Sequence, residues 1–130
     1  MSETNIRIQN IDRPLRTQLL AVDCASFLCR LRGLTFRKSM PFELGLLLRY
    51  DKETRFDTAI HMIGVIFDLA IVWIDSKQEV VDVQLARRWR PFYIPARPAK
   101  YVLEIAVQRI ADFRVGERVM IESLSIDNEK

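Results

Sequence analysis

Four glycines, two cysteines and a single histidine in 130 residues each remove a class of function. With so few glycines there is no Gly-x-Gly-x-x-Gly or Walker loop, which argues against a phosphate-cradling nucleotide enzyme. With His61 as the only histidine, a Ser-His-Asp triad or a Cys-His dyad could be built in one way only, and no Gly-x-Ser-x-Gly elbow accompanies it. Cys24 and Cys29 fit neither Cys-x-x-Cys redox chemistry nor the paired clusters of a structural zinc site, and they read as two reduced, partly buried thiols. A metal site would have to join His61 to Asp57, Asp68 or the cysteines at a spacing without precedent, so no metal and no cofactor is expected.

Long apolar runs are missing too. The most apolar stretch, residues 62–74, is interrupted by Asp68 and falls short of the roughly twenty residues that cross a bilayer as a helix. The first five residues carry an acid and no basic cluster, and no apolar run follows, so the sequence predicts no secretory signal, no membrane partner and a cytoplasmic location.

What is present is a chain that is 49% hydrophobic and 28% charged, enough for one core and too short for two. One domain over residues 1–130 is expected, with a frayed polar tail at 125–130. The net charge is only +3, yet 15 of the 20 basic residues are Arg, whose planar fork suits paired hydrogen bonds to carboxylates or phosphates.

The pattern along the chain is mostly that of short strands. Ile6, Ile8 and Ile11 lie beside an Asp12-Arg13-Pro14 turn signal, and residues 19–22 form a second apolar run. Phe27, Leu28, Leu31 and Leu34 have the spacing of a short helix ending near Gly33. Residues 45–48 read as a buried strand, followed by a charged turn at 51–55. The stretch 58–74 is β-branched and too long for one strand, so a bend at Gly64 would divide it into two. Strands are expected again near 80–85, 101–105 and 119–121, with a second short helix over 107–116. The expectation is a mainly β domain with two short helices, a compact antiparallel β-sandwich or barrel.

Two places carry candidate chemistry. Asp68 lies between Val65-Ile66-Phe67 and Leu69-Ala70-Ile71, and an ionised carboxylate cannot be buried there without partners. Its structural reading is an ion pair with an arginine or backbone donors at a strand start; its functional reading is a carboxylate at a pocket mouth. The stretch 86–101 holds five basic side chains and four aromatics and no acid: Arg87, Arg88, Trp89, Arg90, Phe92, Tyr93, Arg97, Lys100 and Tyr101. Basic groups interleaved with rings suit a small anionic ligand, a protein partner or, less well at this net charge, single-stranded nucleic acid. The structural alternative has the rings capping the core and the arginines paired with Asp68, Asp75 and Asp82. Arg37 could extend the same positive surface, and His61 with Asp68 is the one acid and base pair on which an enzyme could be built.

Two blocks about sixty residues apart carry a family resemblance. They are Gly33-Leu34-Thr35-Phe36-Arg37-Lys38-Ser39-Met40-Pro41 and Pro98-Ala99-Lys100-Tyr101-Val102-Leu103-Glu104. With Gly45-Leu46-Leu47, Asp68 and Gly116-Glu117-Arg118-Val119 in order, the chain resembles the domain of unknown function 192 over residues 25–121. The resemblance implies a β-rich fold and a shared cluster of positions, and no chemistry. At the positions where common members read Trp-Met-Lys-Asn and Pro-Leu-Asp, this chain has Ile60-His61-Met62-Ile63 and Phe67-Asp68-Leu69, so Asp68 is retained while the lysine, asparagine and proline are not.

Overall fold

The computed structural model describes residues 4–24, 39–62 and 64–124. Among these, seven strands form one sheet: β1 (Thr4–Asn10), β2 (Leu19–Cys24), β3 (Leu44–Thr54), β4 (Leu69–Ile74), β5 (Val80–Ala86), β6 (Ala99–Ala106) and β7 (Val119–Ser123). A 3-10 helix at Val107–Asp112 follows β6. The strands lie in the order β5-β4-β6-β3-β2-β1-β7. Every neighbouring pair is antiparallel except β2 and β3, which run parallel.

The sheet curls because its two outermost strands meet at one end. Val80 N–H donates to Glu117 O at 2.8 Å, Gly116 N–H to Val80 O at 2.8 Å and Val119 N–H to Gln78 O at 2.8 Å. The result is a half-barrel. Its inner face is filled by Ile8, Leu19, Leu47, Val72, Leu103, Ile105 and Val119, with Phe113 inserted from the segment after the 3-10 helix. Its outer face carries Leu46, Leu48, Ile71, Trp73 and Val102, over which Ile60, Met62, Val65 and Tyr93 are laid. β4 is covered on both faces, which is why its six residues form an uninterrupted apolar run rather than an alternating one.

The expected mainly β class is what forms, but as a single curled sheet with one parallel pair, neither a two-sheet sandwich nor a wholly antiparallel barrel. Of the two expected helices, the one at 107–116 appears as a six-residue 3-10 helix, and the one ending near Gly33 lies outside the described residues. The charged turn expected at 51–55 is mostly the second half of β3, with Thr54 paired to Ala99. The two strands expected over 58–74 reduce to β4 alone. Ahead of it, Ile60 pairs only with Tyr93, Met62 N–H donates to Arg90 O at 3.0 Å and Val65 N–H to Met62 O at 3.0 Å. Ile60, Met62 and Val65 are apolar because they cover the outer face, which period alone cannot distinguish from a strand. Cys24, read as a reduced thiol, is buried and disulfide-bonded, because pairing follows spatial approach rather than a short sequence motif; its partner lies outside the described residues.

Candidate functional site

The site is built on the outer face, where two connections meet: residues 55–68, between β3 and β4, and residues 87–98, between β5 and β6. The first is held by Trp73, whose buried indole donates to Thr58 O at 2.7 Å. The second is pinned at both ends. Gln84 Nε2 donates to Ile94 O at 3.0 Å, Ala96 N–H donates to Asp82 Oδ2 at 2.8 Å, and Arg55 Nε donates to Pro95 O at 3.0 Å. Tyr93 is buried, exchanges backbone hydrogen bonds of 2.7 and 2.8 Å with Ile60, and accepts Arg87 N–H on its hydroxyl at 2.7 Å.

Between these anchors the chain projects outward. Trp89 sits in the left-handed region at φ 65, with its N–H donated to Met62 O at 3.0 Å, and its side chain is 57% exposed. That conformation costs a bulky L-residue on the order of 1 kcal/mol and persists where surrounding contacts impose it. Phe92 is 68% exposed. Arg87, Arg88, Arg90 and Arg97 are exposed, and the Arg90 guanidinium lies 5.8 Å from the Tyr93 ring centre.

Asp68 immediately precedes β4 and is half-buried. Its Oδ1 accepts Arg88 N–H at 2.8 Å and lies 3.4 Å from Arg88 Nε. Asp75 instead accepts the backbone N–H groups of Lys77 and Glu79, and Asp82 those of Val83 and Ala96. The expected pairing of the loop arginines with acids is therefore realised only for Asp68. Arg87, Arg90 and Arg97 form no ion pair with a described residue. His61 is exposed, and its ring makes no hydrogen bond to Asp68, whose carboxylate faces Arg88. Arg37 lies outside the described residues. Among the described residues no cluster of three or more His, Cys, Asp or Glu could hold a metal.

One residue escaped the sequence reading. Glu104, in the middle of β6, is 5% exposed and, among the described residues, has neither a hydrogen-bond donor nor a cation paired with it. Its cross-strand partners are Leu46 and Ile71, and burial alone pushes its carboxyl up to about 7. The signal was available, since Glu104 is the sole acid of Tyr-Val-Leu-Glu-Ile-Ala and closes the second family block. The other deeply buried charge is treated differently. Arg109, 1% exposed, pairs with Asp112 at 2.8 Å, donates to the carbonyls of Thr17, Gln18 and Phe42, and lies over the Phe42 ring.

Comparison with known proteins fits this architecture. The family model DUF192, described as Uncharacterized ACR, matches residues 10–121. A UPF0127 protein of Thermococcus kodakarensis is 36% identical over 96 residues, 74% of this chain and 59% of its own length. Across three Thermococcus relatives the match spans between 51% and 61% of their length. A crystal structure of a protein of unknown function from Novosphingobium aromaticivorans superposes with a TM-score of 0.76 at 16% identity, over 89% of this chain and 83% of that one. Another, from Sinorhizobium meliloti and named provisionally as a transcription regulator, gives 0.76 at 19% identity, over 90% and 92%. At such identities the two structures share the fold alone.

Proposed function

The chain belongs to the DUF192 family, to which no specific function is attached, and we propose that it is a non-enzymatic binding domain that holds a small anionic ligand through residues 87–97. The observation that supports this is Trp89, exposed and fixed in the left-handed region, among arginines of which only Arg88 has an acid partner. A ring and several guanidinium forks whose backbone is already pinned can engage a carboxylate or phosphate without first being ordered. Arg87, Arg88, Arg90 and Arg97 supply charge, Trp89 supplies a stacking face, and Asp68 orients Arg88. The reading carries with it a single-domain, cytoplasmic protein without a cofactor. No helix among the described residues is long and apolar enough to cross a membrane. An enzyme built on Asp68 and His61 is less favoured, because the carboxylate is turned to Arg88 and not to the imidazole.

The test is thermal unfolding with inorganic phosphate, citrate and a nucleoside monophosphate, read together with the fluorescence component that disappears in Trp89→Phe. A ligand that binds only the folded state must raise the melting temperature. It should also quench Trp89, and Arg88→Ala with Arg90→Ala should abolish both effects. Unchanged responses in the double variant would sink the proposal. The exposed pair Trp89 and Phe92 also favours a second reading, single-stranded nucleic acid. Short oligonucleotides bound with an affinity that collapses as salt rises would favour it over the first.

A further inference from the structure

The two connections that roof the outer face turn only part of their side chains inward. Tyr93 is buried and pairs with Ile60, also buried, so alternation along the paired segments sends Phe92, Ile94 and His61 to the opposite, outer side. Trp89 stands beside them, with its N–H on the carbonyl of Met62, and Phe56 follows Arg55, which donates to Pro95 O. Of the ten large hydrophobic side chains exposed among the described residues, five stand on these connections: Phe56, Ile66, Trp89, Phe92 and Ile94. Phe56 at 72% and Phe92 at 68% are the most exposed of the ten. Such a concentration marks a contact surface rather than singly scattered side chains. Residues 55–68 and 87–98 also carry five arginines, Arg55, Arg87, Arg88, Arg90 and Arg97, against two acids, Asp57 and Asp68, of which Asp68 is half-buried and turned to Arg88.

We propose that this surface lies against an anionic lipid bilayer, with its rings in the headgroup region and its arginines on lipid phosphates. It rests on the anion-binding reading of residues 87–97 and names the source of the anion. A free anion would answer the guanidinium groups and leave Phe56, Phe92 and Ile94 in water. A lipid surface answers both, since aromatic side chains favour the boundary between headgroups and acyl chains while arginine is drawn to acidic phosphates. Shape also favours lipid over protein. Side chains this exposed stand proud of the backbone, and a protein partner would need a separate pocket for each, whereas a fluid boundary closes around any protrusion. The backbone that carries them is fixed by the bonds of Gln84, Asp82 and Arg55 to residues 94–96, so the rings enter without the chain first being ordered. That no described helix can cross a bilayer is no obstacle, because the contact is with the surface of one leaflet.

Flotation of the intact chain with vesicles tests this, using phosphatidylcholine alone and phosphatidylcholine with about 30% phosphatidylglycerol at about 0.1 M salt. Binding should occur with the acidic vesicles only. The fluorescence component that disappears in Trp89→Phe should then shift to the blue and be quenched by lipids brominated on their acyl chains, while Trp73, the other tryptophan, is fully buried and should not respond. Phe56→Ser with Phe92→Ser, at two positions too exposed to support the core, should weaken vesicle binding at least about tenfold while phosphate still raises the melting temperature. Equal vesicle binding by this double variant would show adhesion by charge alone and overturn the proposal. No binding to acidic vesicles overturns it whether or not phosphate stabilises, so the small-anion reading stands or falls on phosphate separately. Vesicle binding without a response to any free anion keeps the lipid surface and overturns the small-ligand reading. A polyglutamate peptide that binds where acidic vesicles do not identifies an acidic protein partner and overturns the lipid surface.

Discussion

The two faces of β6 carry opposite assignments. Leu103 and Ile105 point inward to a core that every strand and Phe113 help to fill. Val102 and Glu104 point outward to a face roofed by two connections. Strand-to-strand packing leaves the inner face little room for polar groups, and the buried amide of Asn10 at its edge is answered by Asp112 O and Glu117 Oε1, whereas a roof made of irregular backbone needs hydrogen-bond partners and leaves gaps. Polar specialisation in this fold therefore belongs to the outer face: Asp68, Asp82, Gln84 and Glu104 all lie on it or at its rim. Arg109 underlines the point, since it is buried among loops and answered by carbonyls from two of them rather than placed on the sheet.

The contrast can be broken most severely from the inside. Leu103→Ala should cost about 2–5 kcal/mol in urea unfolding, as expected for a fully buried leucine whose cavity cannot collapse, without altering how stability depends on pH. Equal pH profiles in the parent and in Leu103→Ala would confirm that the inner face is electrostatically silent.

Glu104 should give the next largest effect, and its sign is fixed by linkage. Its folded carboxyl titrates near about 7 against 4.5 for the free group, so the folded state holds a proton that the unfolded state has already released. Stability contributed by the protonated form is full below pH 4.5, declines as pH rises towards 7, and then levels off, a loss of up to about 3 kcal/mol. Glu104→Gln should flatten that window, so that the variant overtakes the parent above neutrality. A parent whose stability is level from pH 4.5 to 7 would contradict the burial argument. Below this window both proteins should lose stability together. Asp12, Glu53 and Glu117 have carboxyls held low chiefly by side-chain hydrogen bonds from Arg118, Ser76 and Arg13, so their contribution disappears as they protonate.

At the rim the effects should shrink. Asp68→Asn keeps an acceptor for Arg88 N–H and loses only a half-exposed ion pair, so calorimetry should show less than about 1 kcal/mol. Arg88→Ala with Arg90→Ala should change stability by no more than about 0.5 kcal/mol while removing stabilisation by anions. A large loss of stability there would reveal a structural role for the loop cations and weaken the binding proposal.

The ladder was legible where alternation or a continuous apolar run coincided with a turn signal, as at β2, β5 and β6. It failed at 58–68, because a segment that covers a sheet is as apolar as a strand within it, and at 51–55, because charges on an exposed strand end look like a turn. The curl was not legible, since it depends on Val80 meeting Glu117 across the whole fold. In the candidate site, the composition of 86–101 gave the exposed cations and rings, whereas the division of labour between Tyr93 inside and Trp89 outside needed coordinates. Glu104 could have been found by the rule that singled out Asp68, an acid flanked by apolar residues, but its strand pattern drew the eye to its neighbours.

The position of β1 between β2 and β7 also bears on how the chain is made. Arg7 pairs with Glu122 across 115 positions of sequence, and Ile8 is in register with Ile121. During synthesis one edge of β1 therefore stays open until residues 119–123 have emerged, while β2 is already available on the other side. Such long-range pairing is slow, and an open strand edge invites other chains. The vulnerable interval in the making of this protein falls between the emergence of β6 and that of residues 119–123, when nearly all of the sheet exists and the last neighbour of β1 does not.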